Sequence, residues 1–178
     1  MKAIIIERRK SKYPLILNNG DKYDSTVKVL EYDNKNIEKN LKDFKVENLI
    51  YQCPFINTDH TENYKGGELK NGNYYYIIGL HKNKYPAPLL FQSSKKDYDK
   101  LDNCINLTYK MRTLPSSIIN PNHKKKIITY VNFHKGGLNW DWSHGCMTMV
   151  YATGIEHYWN SFMSNFQLND KGIFILEK

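Results

Sequence analysis

The sequence predicts a mainly β domain with a few short helices, and three observations carry that expectation. Runs of β-branched and aromatic residues recur along the chain, helical spacing is confined to brief stretches, and Gly, Asn and Asp clusters punctuate the intervals. With 178 residues, a single domain spanning 1–178 is expected, long enough to bury a real core. A hydrophobic fraction of 40%, with 14 Tyr, 7 Phe and 3 Trp, argues against disorder.

Ala3–Glu7, Leu15–Leu17 and the alternating run Thr26–Tyr32 read as strands, with a turn signal at Gly20-Asp21 between the second and third. Ile37, Leu41 and Phe44 recur at helical spacing, predicting a short amphipathic helix over 34–45. Ile50–Ile56 returns to strand, and 57–73 is a polar loop. Tyr74–Leu80 is aromatic and β-branched throughout, hence a strand. Ser94 and Asp97 have capping-box spacing ahead of Tyr98, Leu101 and Ile105, predicting a helix within 94–109. Lys126–Phe133 is the strongest strand candidate and delivers His134 at its end. Thr153 and Glu156 repeat the capping-box spacing before an apolar helical face of Ile155, Tyr158, Trp159, Phe162, Met163 and Phe166. Ile173–Leu176 closes as a strand. There is no internal repeat.

The net charge of +8 and an isoelectric point near 9.2 favour polyanionic neighbours such as nucleic acid, anionic lipid or cell-wall polymers. Only Arg8, Arg9 and Arg112 are arginine, and the lysines are dispersed. Together with abundant Asn, Ile and Tyr, this composition reflects an AT-rich genome. No nucleic-acid motif accompanies the charge, so a specific nucleic-acid partner is not expected. The N-terminus meets charge after three isoleucines, too soon for a signal peptide, and no stretch approaches a membrane span. The expectation is a chain that is cytoplasmic as synthesised and acts at the periplasm or cell wall if exported. Cys53 and Cys104 read as buried reduced thiols, although pairing between them is open.

The chemically pointed segment runs from His134 to Ser143-His144-Gly145-Cys146. Cys146 is a soft nucleophile and His134 a base or thiolate partner, the minimum for acyl transfer through a thioester. Gly145 permits positive φ and close backbone approach, and the N–H groups around 145 and 146 suit an oxyanion. A structural Cys beside a turn glycine is the competing reading. A zinc site from His134, His144, Cys146 and His157 matches no usual zinc spacing, so neither metal nor cofactor is expected. Trp140 and Trp142 either wall a peptide groove or pack the loop, and Asp141 either orients an imidazole or caps a turn. His60, His81, His123 and His157 have no motif support and are expected on the surface or in packing.

Phe133-His134-Lys135-Gly136-Gly137 followed by Ser143-His144-Gly145-Cys146 resembles the signature of the YkuD-type L,D-transpeptidase catalytic domain family. Upstream, Asn71-Gly72-Asn73-Tyr74-Tyr75-Tyr76-Ile77 resembles the Gly-x-Tyr/Phe-x-Ile strand common early in that domain. The resemblance covers roughly 66–151, leaving 1–65 as a β-rich N-terminal extension. It implies an L,D-transpeptidase-like β-sandwich acting on peptidoglycan stem peptides. Cys146 would expel a terminal D-amino acid and pass the acyl group to an amine (cross-linking or D-amino-acid exchange) or to water (carboxypeptidase). By the same resemblance His134 is the base, Ser143 and His144 support the thiolate, and Gly145 with Cys146 holds the oxyanion. Two departures stand out: the His-to-Cys stretch is short, as in compact phage and bacterial relatives, and Thr148 replaces the family's usual Arg or Asn. Arg112 or lysines 124–126 are candidates for the missing substrate-binding charge.

Without a visible leader, the expected settings are a secreted antibacterial effector, paired with an immunity protein, or a phage wall enzyme. The alternatives are a non-catalytic basic wall-binding or assembly module that retains the fold, and a basic nucleic-acid binder.

Overall fold

The computed structural model describes residues 1–16, 22–32, 48–58, 68–120, 125–136 and 146–178. The described chain is mainly β: β1 (Lys2–Glu7), β2 (Leu15–Ile16), β3 (Lys22–Tyr23), β4 (Ser25–Glu31), β5 (Leu49–Asn57), β6 (Gly72–His81), β7 (Tyr85–Phe91), β8 (Thr113–Asn120), β9 (Lys125–Thr129), β10 (Phe133–Gly136), β11 (Met147–Val150) and β12 (Lys171–Glu177). Two short helices, α1 (Lys95–Lys100) and α2 (His157–Met163), and a 3-10 turn at Cys104–Asn106 complete it. The helix expected over 34–45 and the turn at Gly20-Asp21 lie outside the described residues.

Eight strands form one sheet in the order β10-β11-β5-β4-β1-β12-β6-β7. β1–β12 and β10–β11 are parallel pairs, and the rest are antiparallel. The strands of the first third thus sit inside the same sheet as those flanking Cys146. The sheet nearly closes on itself: Leu89 of β7 bridges to Asn132, and the Leu90 N–H donates to Val131 O at 3.0 Å. Alternate N–H groups of a strand point the same way, so residues 86 and 88 face this seam with Leu90. Both are proline and have no N–H to give, which leaves the seam unpaired beside β10.

Strand periodicity explains the core. Ile4 and Ile6 of β1 face inward with Val27, Val29, Tyr74, Tyr76, Ile78, Phe174 and Leu176. Ala3, Ile173 and Ile175 pack with Ile5 and Tyr75 on the other side, which is why three isoleucines run consecutively in a strand covered on both faces. α2 drives Trp159 and Phe162 into the inner cluster, against Phe133 of β10.

Several expected elements differ in extent. The run 126–133 is two strands, because Tyr130 adopts φ +55°, a left-handed conformation that no strand continues through. β9 pairs with β8 in a separate hairpin, while β10 joins the main sheet. The helix after Ser94 begins as expected, its hydroxyl accepting from the Asp97 N–H at 3.1 Å. It stops at Lys100, where Lys171 Nζ takes the carbonyls of Tyr98 (2.7 Å) and Leu101 (2.6 Å). α2 starts at His157 rather than Thr153, since the Glu156 carboxylate accepts from the Gly154 N–H (2.8 Å) and fixes a turn there. Cys53 and Cys104 are both free thiols, so the pairing left open by sequence is not formed. Among the described residues no helix is long and apolar enough to cross a membrane.

Candidate active site

Cys146 stands immediately before β11. One hydrogen bond to Cys146 and one from Met147 tie this point of the chain to Asn132, the residue two positions before His134. The Asn132 N–H donates to Cys146 Sγ (3.3 Å), and the Met147 N–H donates to Asn132 O (3.1 Å). The parallel register sets His134 opposite Thr148, and Asn132 and Cys146 lie two residues earlier on each side, so all four share one face. Phe133, Met147 and Met149 take the opposite parity and enter the core. A strand pair with one apolar face thereby sets the sulfur and the imidazole diagonally on its other face.

Cys146 is half-buried, and its S–H points to Tyr130 O at 3.8 Å. Burial pushes the thiol up from its ordinary value, against the Asn132 N–H, Arg112 and Lys82, which favour the thiolate. The resting group is therefore a thiol, and nucleophilic attack requires a base.

His134 has the tautomer for that role. Its Nδ1 lies 2.8 Å from Lys135 O, and a carbonyl only accepts, so Nδ1 carries the proton and Nε2 the lone pair. Burial lowers its pKa, keeping the ring neutral. No hydrogen bond joins this ring to the sulfur in the resting arrangement; the ring instead stacks on His81, with centroids 4.3 Å apart. Lys135, next in β10, lies over the rings of Tyr85 (4.5 Å) and Tyr151 (4.3 Å), holding β10 beside the unpaired seam.

His81, expected on the surface or in packing, is 6% exposed and belongs to this site. Its Nδ1 meets Asn132 Nδ2 at 2.8 Å, while Asn132 Oδ1 receives Arg112 Nη2 at 2.6 Å. A guanidinium only donates, which fixes the amide orientation: Nδ2 is the donor, His81 Nδ1 accepts, and His81 carries its proton on Nε2. Burial first, then His134, Lys82 and Arg112, lower its pKa from 6.5 to about 4. In the unfolded chain His81 titrates near 6.5, so between about 6.5 and 4 the unfolded state binds more protons and stability falls as pH falls. Urea unfolding at stepped pH is expected to show that loss in wild type and a shallower slope in His81→Gln. Equal slopes would contradict it.

The remaining candidates divide. Trp140, Asp141, Trp142, Ser143, His144 and Gly145 lie outside the described residues, as do His60 and His123. Thr148 is 1% exposed, with a buried hydroxyl that has no hydrogen-bond partner, and Arg112 is 4% exposed and reaches inward. Neither presents a polar group to solvent in this arrangement. His157 opens α2 and packs on Tyr158. Among the described residues no group of three His, Cys, Asp or Glu is placed to hold a metal.

His81 carried no sequence signal, being one histidine at a strand end, joined to the site only when β7 meets Asn132. Searches against known protein families, characterised proteins and solved structures find no match to this chain.

Proposed function

We propose that this protein is a cysteine acyltransferase of the L,D-transpeptidase type, acting on peptidoglycan stem peptides, and that its sheet is a divergent version of that family's catalytic β-sandwich. The observation that carries the chemistry is the shared face of Cys146 and His134, with the imidazole locked as the tautomer whose Nε2 can take a proton. The substrate class rests on the resemblance of 133–137 and 143–146, and the net charge of +8 suits anionic wall polymers.

In the proposed cycle the Cys146 proton passes to His134 Nε2 as sulfur bonds to the carbonyl carbon. Collapse of the tetrahedral intermediate breaks the C–N bond, and His134 returns the proton to the departing D-amino acid's amine. An acceptor amine or water then attacks the thioester and restores the thiol. Delivery to a target wall as an effector, or as a phage enzyme, is the proposed setting.

Purified tetrapeptide and pentapeptide muropeptides, incubated with wild type beside Cys146→Ala and read by intact mass, test this. A covalent acyl adduct or loss of the terminal residue is expected with wild type alone. Neither adduct nor turnover on either substrate would overturn the reading and leave a non-catalytic wall-binding module as the account of the fold.

A further inference from the structure

Arg112 poses a problem that the acyl-transfer cycle does not absorb. A guanidinium this deeply buried is normally matched by a carboxylate, because taking the charge out of water costs several kcal/mol. No carboxylate pairs with Arg112 among the described residues, and its Nη1 is buried without a hydrogen-bond partner. Burial lowers its pKa only to about 10, so the group stays charged at neutral pH.

Its other nitrogen shows where the charge is directed. Arg112 Nη2 donates to Val131 O at 3.2 Å and to Asn132 Oδ1 at 2.6 Å. Val131 C=O and Asn132 N–H are the two ends of one peptide group, and the N–H end binds Cys146 Sγ. A cation at the oxygen end draws electron density through the amide and strengthens the N–H as a donor to an anion. The second acceptor leads elsewhere: the Asn132 amide, oriented by the guanidinium, holds His81 Nδ1 as an acceptor, and His81 stacks on His134.

We propose that Arg112 is the positioning residue of this site, holding the Cys146 thiolate through the Val131–Asn132 peptide and keeping His81 neutral behind His134 through the Asn132 side chain. The sulfur's counter-charge is then the guanidinium, and His134 is not consumed as an imidazolium partner but stays available as a base. The other groups facing this region are Lys82 at the end of β6, which also favours the thiolate, Tyr85 on β7, and Tyr130, whose ring lies 5.6 Å from the guanidinium. The inference rests on reading Cys146 as the reactive group, but its test needs no substrate.

That test is the pH dependence of Cys146 alkylation by iodoacetamide, in which the thiolate forms the S–C bond and iodide leaves. Peptide mass mapping scores Cys53 and Cys104 separately. Arg112→Gln is expected to move the Cys146 midpoint upward and slow alkylation at neutral pH by about tenfold, the effect of one pKa unit. His134→Gln is expected to leave the midpoint in place. An Arg112→Gln profile that superimposes on wild type, or an equal shift in His134→Gln, would overturn the proposal. Should loss of the buried cation unfold the chain, Arg112→Lys carries the test, because a single ammonium lacks the fork that spans both acceptors. It is expected to raise the midpoint part-way and to release His81 from the Nε2–H tautomer, read by ¹⁵N imidazole NMR. Wild-type behaviour in both readouts refutes the role. A shift in Arg112→Gln without muropeptide turnover in wild type would sink the acyl-transfer reading while leaving Arg112's role intact. Turnover without the shift would do the reverse.

Discussion

Turnover by the His134→Gln variant is expected to fall by about 10²–10⁴-fold on muropeptides, the range for removing a general acid–base group. The reason is the state of the sulfur: burial raises the Cys146 thiol, so in the proposed cycle the step that creates the nucleophile needs a proton acceptor, and the leaving amine would later need that proton back. Glutamine retains an amide N–H for Lys135 O and a similar volume, but it has no basic nitrogen. The wild-type rate should decline on the acid side only below the ordinary 6.5 of an imidazole, because burial lowers His134 and protonation of Nε2 removes the base. In His134→Gln that acid limb should vanish along with the rate. A variant within a few-fold of wild type, or one that keeps the acid limb, would remove His134 from the mechanism.

Phe162→Ala is expected to cost about 3–5 kcal/mol of folding stability, read from urea unfolding. Phe162 is fully buried and meets Phe133 edge-on at 5.1 Å, with Phe166 at 5.2 Å, Trp159 at 5.5 Å and Tyr51 at 5.8 Å. Truncation removes one ring from four aromatic contacts and leaves a cavity that rigid strands on either side cannot collapse into. Because Phe133 precedes His134, the damage should also reach the site: activity should be lost at a lower temperature than in wild type. A cost below about 1 kcal/mol would mean that α2 packs far more loosely than its ring geometry implies.

How far the sequence foretold these features depended on how local their causes are. β1, β4, β5, β6 and β12 were legible because runs rich in β-branched and aromatic residues mark a buried strand, whatever the partner strand is. β7 was not among them; its Pro86 and Pro88 are tolerated because their nitrogens face the unpaired seam and not β6. The division of 126–133 into two strands rests on one backbone angle at Tyr130, a residue with no turn-forming signature. At the candidate site, the sequence paired Cys146 with His134 on chemistry and spacing, and the strand register sets the two on one face. His81 and the inward course of Arg112 were not legible, because their link to the sulfur runs through Asn132 and exists only once β7 and β10 are neighbours.

The position of β12 bears on how the molecule assembles. It follows both β1 and β6 in the chain, yet it lies between them, pairing with both. Until it emerges, β6 and β7 have no ladder to β1, and two strand edges rich in isoleucine and tyrosine lack their neighbour. Such an order delays sheet completion and leaves those edges open to pairing with other chains. Until β12 docks, β6 and β7 meet the rest of the sheet only through the seam at Val131 and Asn132, and the need for protection from aggregation is concentrated in that interval.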